Sequence, residues 1–446
     1  MVEKEINILG AGLCGSLLSI MMAKQGYSVT VREKRSDPRK NHGSAGRSIN
    51  LAMSAKGINA LKYAGIFEQI EPLLMPMKGR MLHFQDGREE LQPYGQYDHE
   101  FIYSVSRSRL NHLLIDAAEK IGVEIKFQHS IESFDKEKNV SFESNEGGYT
   151  LTAKNLLVTD GAGSMMRRSF NGSSPILPQE DILPHSYKEL TIPADENGSF
   201  KLTEKALHVW PRGEFMLIAL PNPNGDFTLT LFMPTKGENS FDGLKNNHQI
   251  QKFFEKYFSD ILILIPNLIE QFQENPTGIL GTVKCKHWHL NDHFLLVGDA
   301  AHAMVPFHAQ GMNSAFDDCV VLDSIVKKYD NWGEIFKEFE IKQKKNANAI
   351  QAMALDNYIE MRDGVLDPKF ALKKELSFRL EKEFPTYFIP RYSMVMFHNE
   401  IPYSMSYERG EIQKSILTEL TVNADNIDSI DFKSAEKVIK KELTPL

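Results

Sequence analysis

Residues 6–33 read INILGAGLCGSLLSIMMAKQGYSVTVRE, and this stretch settles the fold class. Ile6 to Leu9 is a short apolar run of strand type. Gly10-Ala11-Gly12-Leu13-Cys14-Gly15 follows at once, a helical run reaches Lys24, and Tyr27 to Val31 is a second strand ending at Glu33. Strand, glycine turn, helix and strand in that order form a βαβ unit with the G-x-G-x-x-G dinucleotide fingerprint in register. Gly10 makes the tight turn, Gly12 lets a pyrophosphate approach the backbone, and Gly15 permits close helix–strand contact. Glu33, eighteen residues after Gly15, can accept from ribose hydroxyls. The glycines alone would also fit an ordinary glycine-rich turn. The strand, helix and acid around them favour dinucleotide binding.

Two later segments repeat the pattern of an apolar run ending in a Gly/Asp turn. Leu156 to Thr159 precedes Asp160-Gly161-Ala162-Gly163, and Phe294 to Val297 precedes Gly298-Asp299. A carboxylate after such a strand sits at the carboxyl edge of a sheet, where α/β proteins bind ligands. After Pro306, a helical run opens at Gly311-Met312-Asn313, so its first N–H groups are unpaired and favour negative charge. Between the two segments, Leu207 to Leu220 and Phe227 to Met233 are β-rich runs around Pro221-Asn222-Pro223-Asn224-Gly225, a hairpin signal. They predict a separate, mainly antiparallel sheet over the cofactor. Beyond Gly311 the spacing is helical over Ala315 to Lys328, Trp332 to Arg362 and Ala371 to Glu383, with a loop at 364–368 and breaks at Pro385 and Pro390.

Bulk properties exclude several classes. The chain has 446 residues, 42% hydrophobic and 25% charged, which are globular values. Its net charge of −8 argues against nucleic acid as a partner. Cys14, Cys285 and Cys319 form no CxxC pair, and an odd count suits a reducing, cytoplasmic setting without disulfides. The first strand starts near Ile6, which leaves no room for a leader. The most apolar run, Ile261 to Ile269, is interrupted by Pro266-Asn267 and falls short of the roughly 18 residues of a membrane span, so no transmembrane anchor is expected. His287, His289 and His293 lack a convergent carboxylate or cysteine set; strand-end roles are expected for them, and no metal. Cys14 reads as a small packing residue beneath the cofactor.

GAGLCG at 10–15, DG at 160–161 and GDAAH at 298–302 together resemble the single-component FAD-dependent aromatic hydroxylases. RSINLA at 47–52, KGRMLH at 78–83, PYG at 93–95, YSVSR at 103–107, HVWPRGEFMLIALPNP at 208–223, LFMP at 231–234 and PFHAQGMN at 306–313 narrow the resemblance to the branch that hydroxylates L-kynurenine, over about residues 5–403. Flavin halogenases fit worse, because the WxWxIP block is missing and the tryptophans stand alone at 210, 288 and 332.

The resemblance implies an α/β protein with a Rossmann-like FAD-binding domain, an interleaved mainly antiparallel-sheet substrate domain and a helical C-terminal region. The corresponding ranges are 1–75, 100–175 and 280–330 for the first, 76–99 and 176–279 for the second, and 331–446 for the third. It further implies bound FAD, NADPH as a transient cosubstrate, O₂, and oxygen transfer through a flavin C4a-hydroperoxide. Gly10, Gly12, Leu13, Gly15, Glu33, Arg35, Ala52, Arg107 and Asp299 would hold FAD, with backbone N–H groups of Met312 and Asn313 at the flavin pyrimidine edge. Met165 departs from the small hydroxyl residue expected after Asp160-Gly161. Arg80, Tyr94 and Tyr392 would hold the amino-acid carboxylate, and Asn357, Glu360 and Met361 would present one helical face to the pocket. The aromatic ring would lie among Ile102, Leu207, Ile218, Leu220, Phe232, Pro306 and Phe307, with His308 at its edge as the one candidate for a catalytic role. No second G-x-G-x-x-G serves the nicotinamide. The alternatives are a flavin monooxygenase for another aromatic acid and a noncatalytic FAD-binding sensor. The sequence leaves room for a homodimer.

Overall fold

The computed structural model describes residues 4–40, 50–135, 138–169, 176–363 and 369–446, without the side chains of 361–363. Residues 47–49 of the RSINLA block, the loop expected over 364–368 and the Met361 side chain lie outside the described residues.

The opening βαβ unit forms as its pattern predicts. Strand Glu5–Leu9 leads through Gly10, with φ +97°, into helix Leu13–Lys24 and then strand Ser28–Glu33. This helix is buried from Gly15 to Met22, which is why its sequence is apolar on every side rather than along one stripe. Six strands make the first sheet, in the spatial order His289–Leu290, Phe294–Leu296, Leu156–Val158, Glu5–Leu9, Ser28–Glu33, Glu124–Phe127. All neighbours are parallel except the first pair. Register places Leu9 beside Val158 and Arg32, and Val158 beside Leu296. Gly10, Thr159-Asp160, Gly298-Asp299 and Glu33 are therefore brought to one edge, although they are up to 289 residues apart in sequence.

The second sheet has seven strands, in the order Thr277–Cys285, Pro178–Ile192, Phe227–Pro234, Phe215–Pro221, Ala206–Arg212, Gly79–His83, Glu89–Pro93. Every pairing is antiparallel except that of Ala206–Arg212 with Gly79–His83. The β-rich run at 207–220 is two strands rather than one, because Gly213 at φ +68° turns the chain back. The strand Thr277–Cys285 crosses the 279/280 boundary drawn above. Alternation sorts the faces of this sheet. Leu217, Leu229, Leu231 and Met233 pack on the helices Asn247–Tyr257, Ser259–Leu262 and Leu268–Glu274, whereas Tyr187, Ile218, Thr230 and Phe232 line a cavity on the other side.

Helices Gly311–Val326, Trp332–Asp363, Phe370–Glu383, Arg391–Phe397, Tyr403–Thr421 and Phe432–Glu442 complete the chain as its helical C-terminal region. Among the described residues no helix is long and apolar enough to cross a membrane.

Candidate active site

A cavity of about 760 Å³ runs from the carboxyl edge of the first sheet to the inner face of the second. At its first end, Gly10 and Gly15 are glycines because a side chain would not fit. A Cβ on Gly10 would lie 2.6 Å from the Thr159 carbonyl oxygen, and one on Gly15 would lie 2.0 Å from the Gly10 carbonyl oxygen. Gly12 differs. A Cβ there would meet nothing within 4 Å and would project into open space, where a pyrophosphate would approach. The first intrahelical bond beyond it runs from Ser16 N to Gly12 O at 2.9 Å, so the N–H groups of Leu13, Cys14 and Gly15 are the unpaired start of that helix. Glu33 accepts from Ala11 N and Arg35 N, each at 2.9 Å, which fixes its carboxylate at the cavity wall with acceptor sites to spare.

Asp299 stands exposed on the opposite wall, at the start of a short helix entered through Gly298 at φ +62°. A buried pair that the sequence did not disclose locks this turn. Asp318 Oδ2 accepts from Gly298 N at 3.0 Å and lies 2.6 Å from His302 Nε2. Burial would lower the His302 pKa, but the Asp318 charge outweighs it and holds it above the ordinary value. Arg167, fully buried, donates to the carbonyls of Ala300 and Ala162 and pairs with Glu180 at 2.8 Å. It ties the Asp160-Gly161 turn to the Gly298-Asp299 turn. Met165 uses its backbone here, donating to Asp160 Oδ2 at 2.9 Å.

The helix from Gly311 makes its first intrahelical bond from Ser314 N to Gln310 O, leaving the N–H groups of Gly311, Met312 and Asn313 unpaired within it. Met312 lines the cavity. Asn313 does not, because its side chain accepts from Ser54 N and donates to Ala52 O and Ala309 O at 2.9–3.0 Å. It staples the strand carrying Ala52 to the helix start. Arg35, Ala52 and Arg107 are all on the wall.

At the far end Arg80 projects from its strand beside two stacked phenol rings. Its Cζ is 5.6 Å from the Tyr94 ring centroid and 5.4 Å from that of Tyr392, and those rings stack 5.7 Å apart. His308 stacks on Tyr392 at 5.6 Å. Arg80 Nε, Tyr94 Oη and His308 Nδ1 are buried without a hydrogen-bond partner, an arrangement that costs free energy unless a ligand completes it. Burial pushes His308 down to about 4, so its ring is neutral at physiological pH. Ile102, Leu207, Ile218, Leu220, Phe232 and Phe307 supply an apolar wall between these groups and the glycine edge.

Two residues of the expected site, Asn357 and Glu360, lie off the cavity wall. Asn357 is buried behind the wall and donates to the Phe307 carbonyl, so it fixes the loop rather than lining the cavity. Glu360 is exposed and absent from the wall, and the Met361 side chain lies outside the described residues. Gly15 serves from inside the loop. Of the three strand-end histidines, His287 faces Glu340 at 3.1 Å, and no group of three metal-ligating side chains occurs among the described residues.

The comparisons agree with this geometry. The FAD binding domain family model matches residues 3–188 and 276–329. A kynurenine 3-monooxygenase of Stenotrophomonas maltophilia (strain K279a) is 42% identical over 447 residues, covering 100% of this chain and 98% of that protein. The chain belongs to the kynurenine 3-monooxygenase family. A second member, from Xanthomonas campestris pv. campestris (strain 8004), is 40% identical with 99% and 98% covered. Among solved structures, the tetrameric form of 2-methyl-3-hydroxypyridine-5-carboxylic acid oxygenase has TM-score 0.66 at 18% identity, covering 83% of this chain and 95% of that one. Klebsiella pneumoniae HpxO complexed with FAD and uric acid has TM-score 0.64 at 16% identity, covering 85% and 92%. Both likenesses concern the fold. As a member of the kynurenine 3-monooxygenase family the chain is an FAD-dependent oxidoreductase, and the glycine edge, with its open position at Gly12 and two facing helix starts, suits an anionic dinucleotide.

Proposed function

We propose that this protein hydroxylates L-kynurenine to 3-hydroxy-L-kynurenine in tryptophan catabolism, with FAD bound and NADPH and O₂ consumed. The observation that carries the reading is the trio of unpartnered buried atoms, Arg80 Nε, Tyr94 Oη and His308 Nδ1, at the end of the cavity that begins at the glycine loop. A substrate carboxylate answers Arg80 and Tyr94 with acceptor oxygens, and the charge-assisted bond to Arg80 fixes one end of the molecule. The aromatic ring then lies along Ile218, Leu220, Phe232 and Phe307, which exclude water from it.

FAD, when bound, would supply the redox chemistry, hydride acceptance from NADPH and activation of O₂ for transfer of one oxygen atom to the ring, the other leaving as water. The work of the chain is to hold and orient. The anilinic amine already activates the adjacent ring carbon, so positioning matters more than a strong base. Leu13, Glu33, Arg35, Ala52, Arg107 and Asp299 would hold the dinucleotide. The N-terminus of the Gly311 helix would stabilise negative charge on the reduced flavin. His308, held neutral, offers a hydrogen bond at the ring edge rather than a charge. Asn357 contributes by anchoring Phe307. NADPH would bind transiently on a shared surface, and the enzyme would act in the cytoplasm. The first sheet and its helices would form the cofactor domain and the second sheet the substrate domain.

The test is to mix purified protein, FAD, NADPH, O₂ and L-kynurenine and follow product mass. A gain of one oxygen atom is expected. Peroxide release without product would point to a different aromatic acid, and ligand binding without oxygen consumption would point to a sensor.

A further inference from the structure

The KGRMLH and HVWPRGEF blocks build a buried polar cluster that neither the cofactor nor the substrate reading uses. Arg80 and His83 lie three apart on strand Gly79–His83 and so point to opposite faces of the sheet. Arg80 opens on the cavity. His83 is 4% exposed and stacks on Trp210, with ring centroids 4.2 Å apart and planes 8° apart. Its Nε2 is 2.8 Å from His208 Nδ1, and His208 Nε2 is 2.8 Å from the Thr203 carbonyl oxygen. A carbonyl can only accept, so His208 carries its proton on Nε2, leaving Nδ1 to accept from His83. Burial pushes His208 down to about 4, which keeps this polarity fixed at neutral pH. Burial lowers the His83 pKa, and a neutral ring has a single N–H, so with that proton on Nε2 the ring has none on Nδ1 for the exposed Glu89 carboxylate 3.1 Å away, which is left to water. Arg212 holds the same residue from the backbone, donating from Nη1 to the His83 carbonyl at 2.8 Å and from Nε to the Tyr257 carbonyl at 2.6 Å.

The strand pairs with the largely exposed edge strand Glu89–Pro93 over five residues and with Ala206–Arg212 over four, and only the four-residue ladder joins this edge hairpin to the rest of the sheet. A slip of one residue in so short a pairing would turn Arg80 away from the cavity. We propose that the His83–His208 pair is the register pin of this strand, a positioning device that sets how far the Arg80 guanidinium reaches into the substrate end of the cavity. The inference rests on the carboxylate-binding reading of Arg80 given above.

A double-mutant cycle on the holoenzyme tests it, with the kynurenine Kd read from perturbation of the flavin spectrum and kcat, FAD content and Tm measured alongside. His208→Phe keeps a ring against Trp210 and removes the acceptor facing His83. It is expected to weaken kynurenine binding about tenfold while kcat stays within about twofold and FAD content is unchanged. On an Arg80→Met background the same change should add less than about twofold, because a positioning residue acts only through the group it positions. Should His208→Phe fail to fold, His83→Gln and His83→Leu give the same comparison: the glutamine amide can still donate to His208 and should bind kynurenine within about threefold of the unaltered protein, whereas leucine should not. A tenfold loss that persists on the Arg80→Met background, or equal losses in the glutamine and leucine variants, overturns the proposal. If Arg80→Met by itself leaves binding unchanged, the carboxylate reading falls first and takes the pin with it.

Discussion

Arg80→Met separates ligand binding from folding, because the first should weaken while the second should hardly move. Methionine keeps much of the side-chain volume beside Tyr94 and Tyr392, so the rings stacked 5.7 Å apart are not left facing a large hole. What disappears is the charge and its donors. A charge-assisted hydrogen bond to a carboxylate contributes about 1.5–3 kcal/mol, and at 1.36 kcal/mol per decade this is roughly a 10–150-fold weaker Kd for kynurenine. Stability should move little. The variant loses two cation–π contacts, at 5.6 and 5.4 Å, each worth roughly 0.5–2 kcal/mol, but is relieved of a buried guanidinium whose Nε has no partner, a comparable penalty. A Tm within about 3 °C of the parent is therefore expected. The assay is titration of the holoenzyme with L-kynurenine, followed in the flavin absorbance, beside a melt and a measure of FAD content. A Kd within twofold of the parent refutes the assignment. So does a loss of affinity that merely tracks loss of FAD, which would show the site failing as a whole.

Four further outcomes follow from the geometry. Asp299→Ala removes an exposed carboxylate at the cavity wall and should weaken FAD binding roughly 10–150-fold, the worth of one hydrogen bond to a charged group; a variant that stays fully yellow through gel filtration argues against the role. Gly15→Ala and Gly12→Ala should part company. The first drives a Cβ to 2.0 Å from Gly10 O and should lower the melting point of the apoprotein, while the second has free space and should leave that melt unchanged yet abolish FAD binding. With His308 near 4, below its ordinary value, the ring is neutral throughout pH 6–9, and His308→Gln should leave the shape of the pH–kcat profile unaltered; disappearance of an ionisation in that range would contradict this. Glu189 is pushed up to about 7 by burial, above an ordinary 4.5. The native state thus binds more protons than the unfolded one between those values, and stability falls as pH rises from 4.5 to 7. Glu189→Gln should therefore stabilise above pH 7 by roughly 1–3 kcal/mol, discounted for partial exposure, and add nothing below about pH 4.5; equal shifts in chemical denaturation at pH 5 and pH 8 would count against this account.

The cofactor half of the cavity was legible because its signals are local. Gly10 and Gly15 are dictated by contacts within one loop and the neighbouring strand, and Gly12 stands between them facing open space, so the spacing of three glycines carries them. The hairpin at 221–225 and the helix opening at Gly311 are likewise decided by turn chemistry within a few residues. The β-rich run at 207–220 does not disclose its internal turn, because a lone glycine such as Gly213 suits a bulge as well as a turn. The substrate half was not legible from pattern. Arg80, Tyr94 and Tyr392 stand on three remote segments, and only resemblance named them.

Buried polar partners are harder still, and the reason is physical. An apolar side chain needs any apolar surroundings, which periodicity reports, whereas a buried hydrogen-bonding group needs one particular partner at one distance. Asn313 shows the difference: its position at the helix start was expected to offer a backbone N–H, yet its side chain spends its three bonds joining Ser54, Ala52 and Ala309. Asn357 was placed on the correct helix but its amide faces the Phe307 carbonyl, one shell behind the cavity. The same rule makes Asp318 consequential. It sits seven residues into the Gly311 helix, holds Gly298 N and His302 together, and so joins the turn that presents Asp299 to the helix whose start lines the cavity. One buried carboxylate thus ties the turn after Phe294–Leu296 to the helix that follows Pro306–His308.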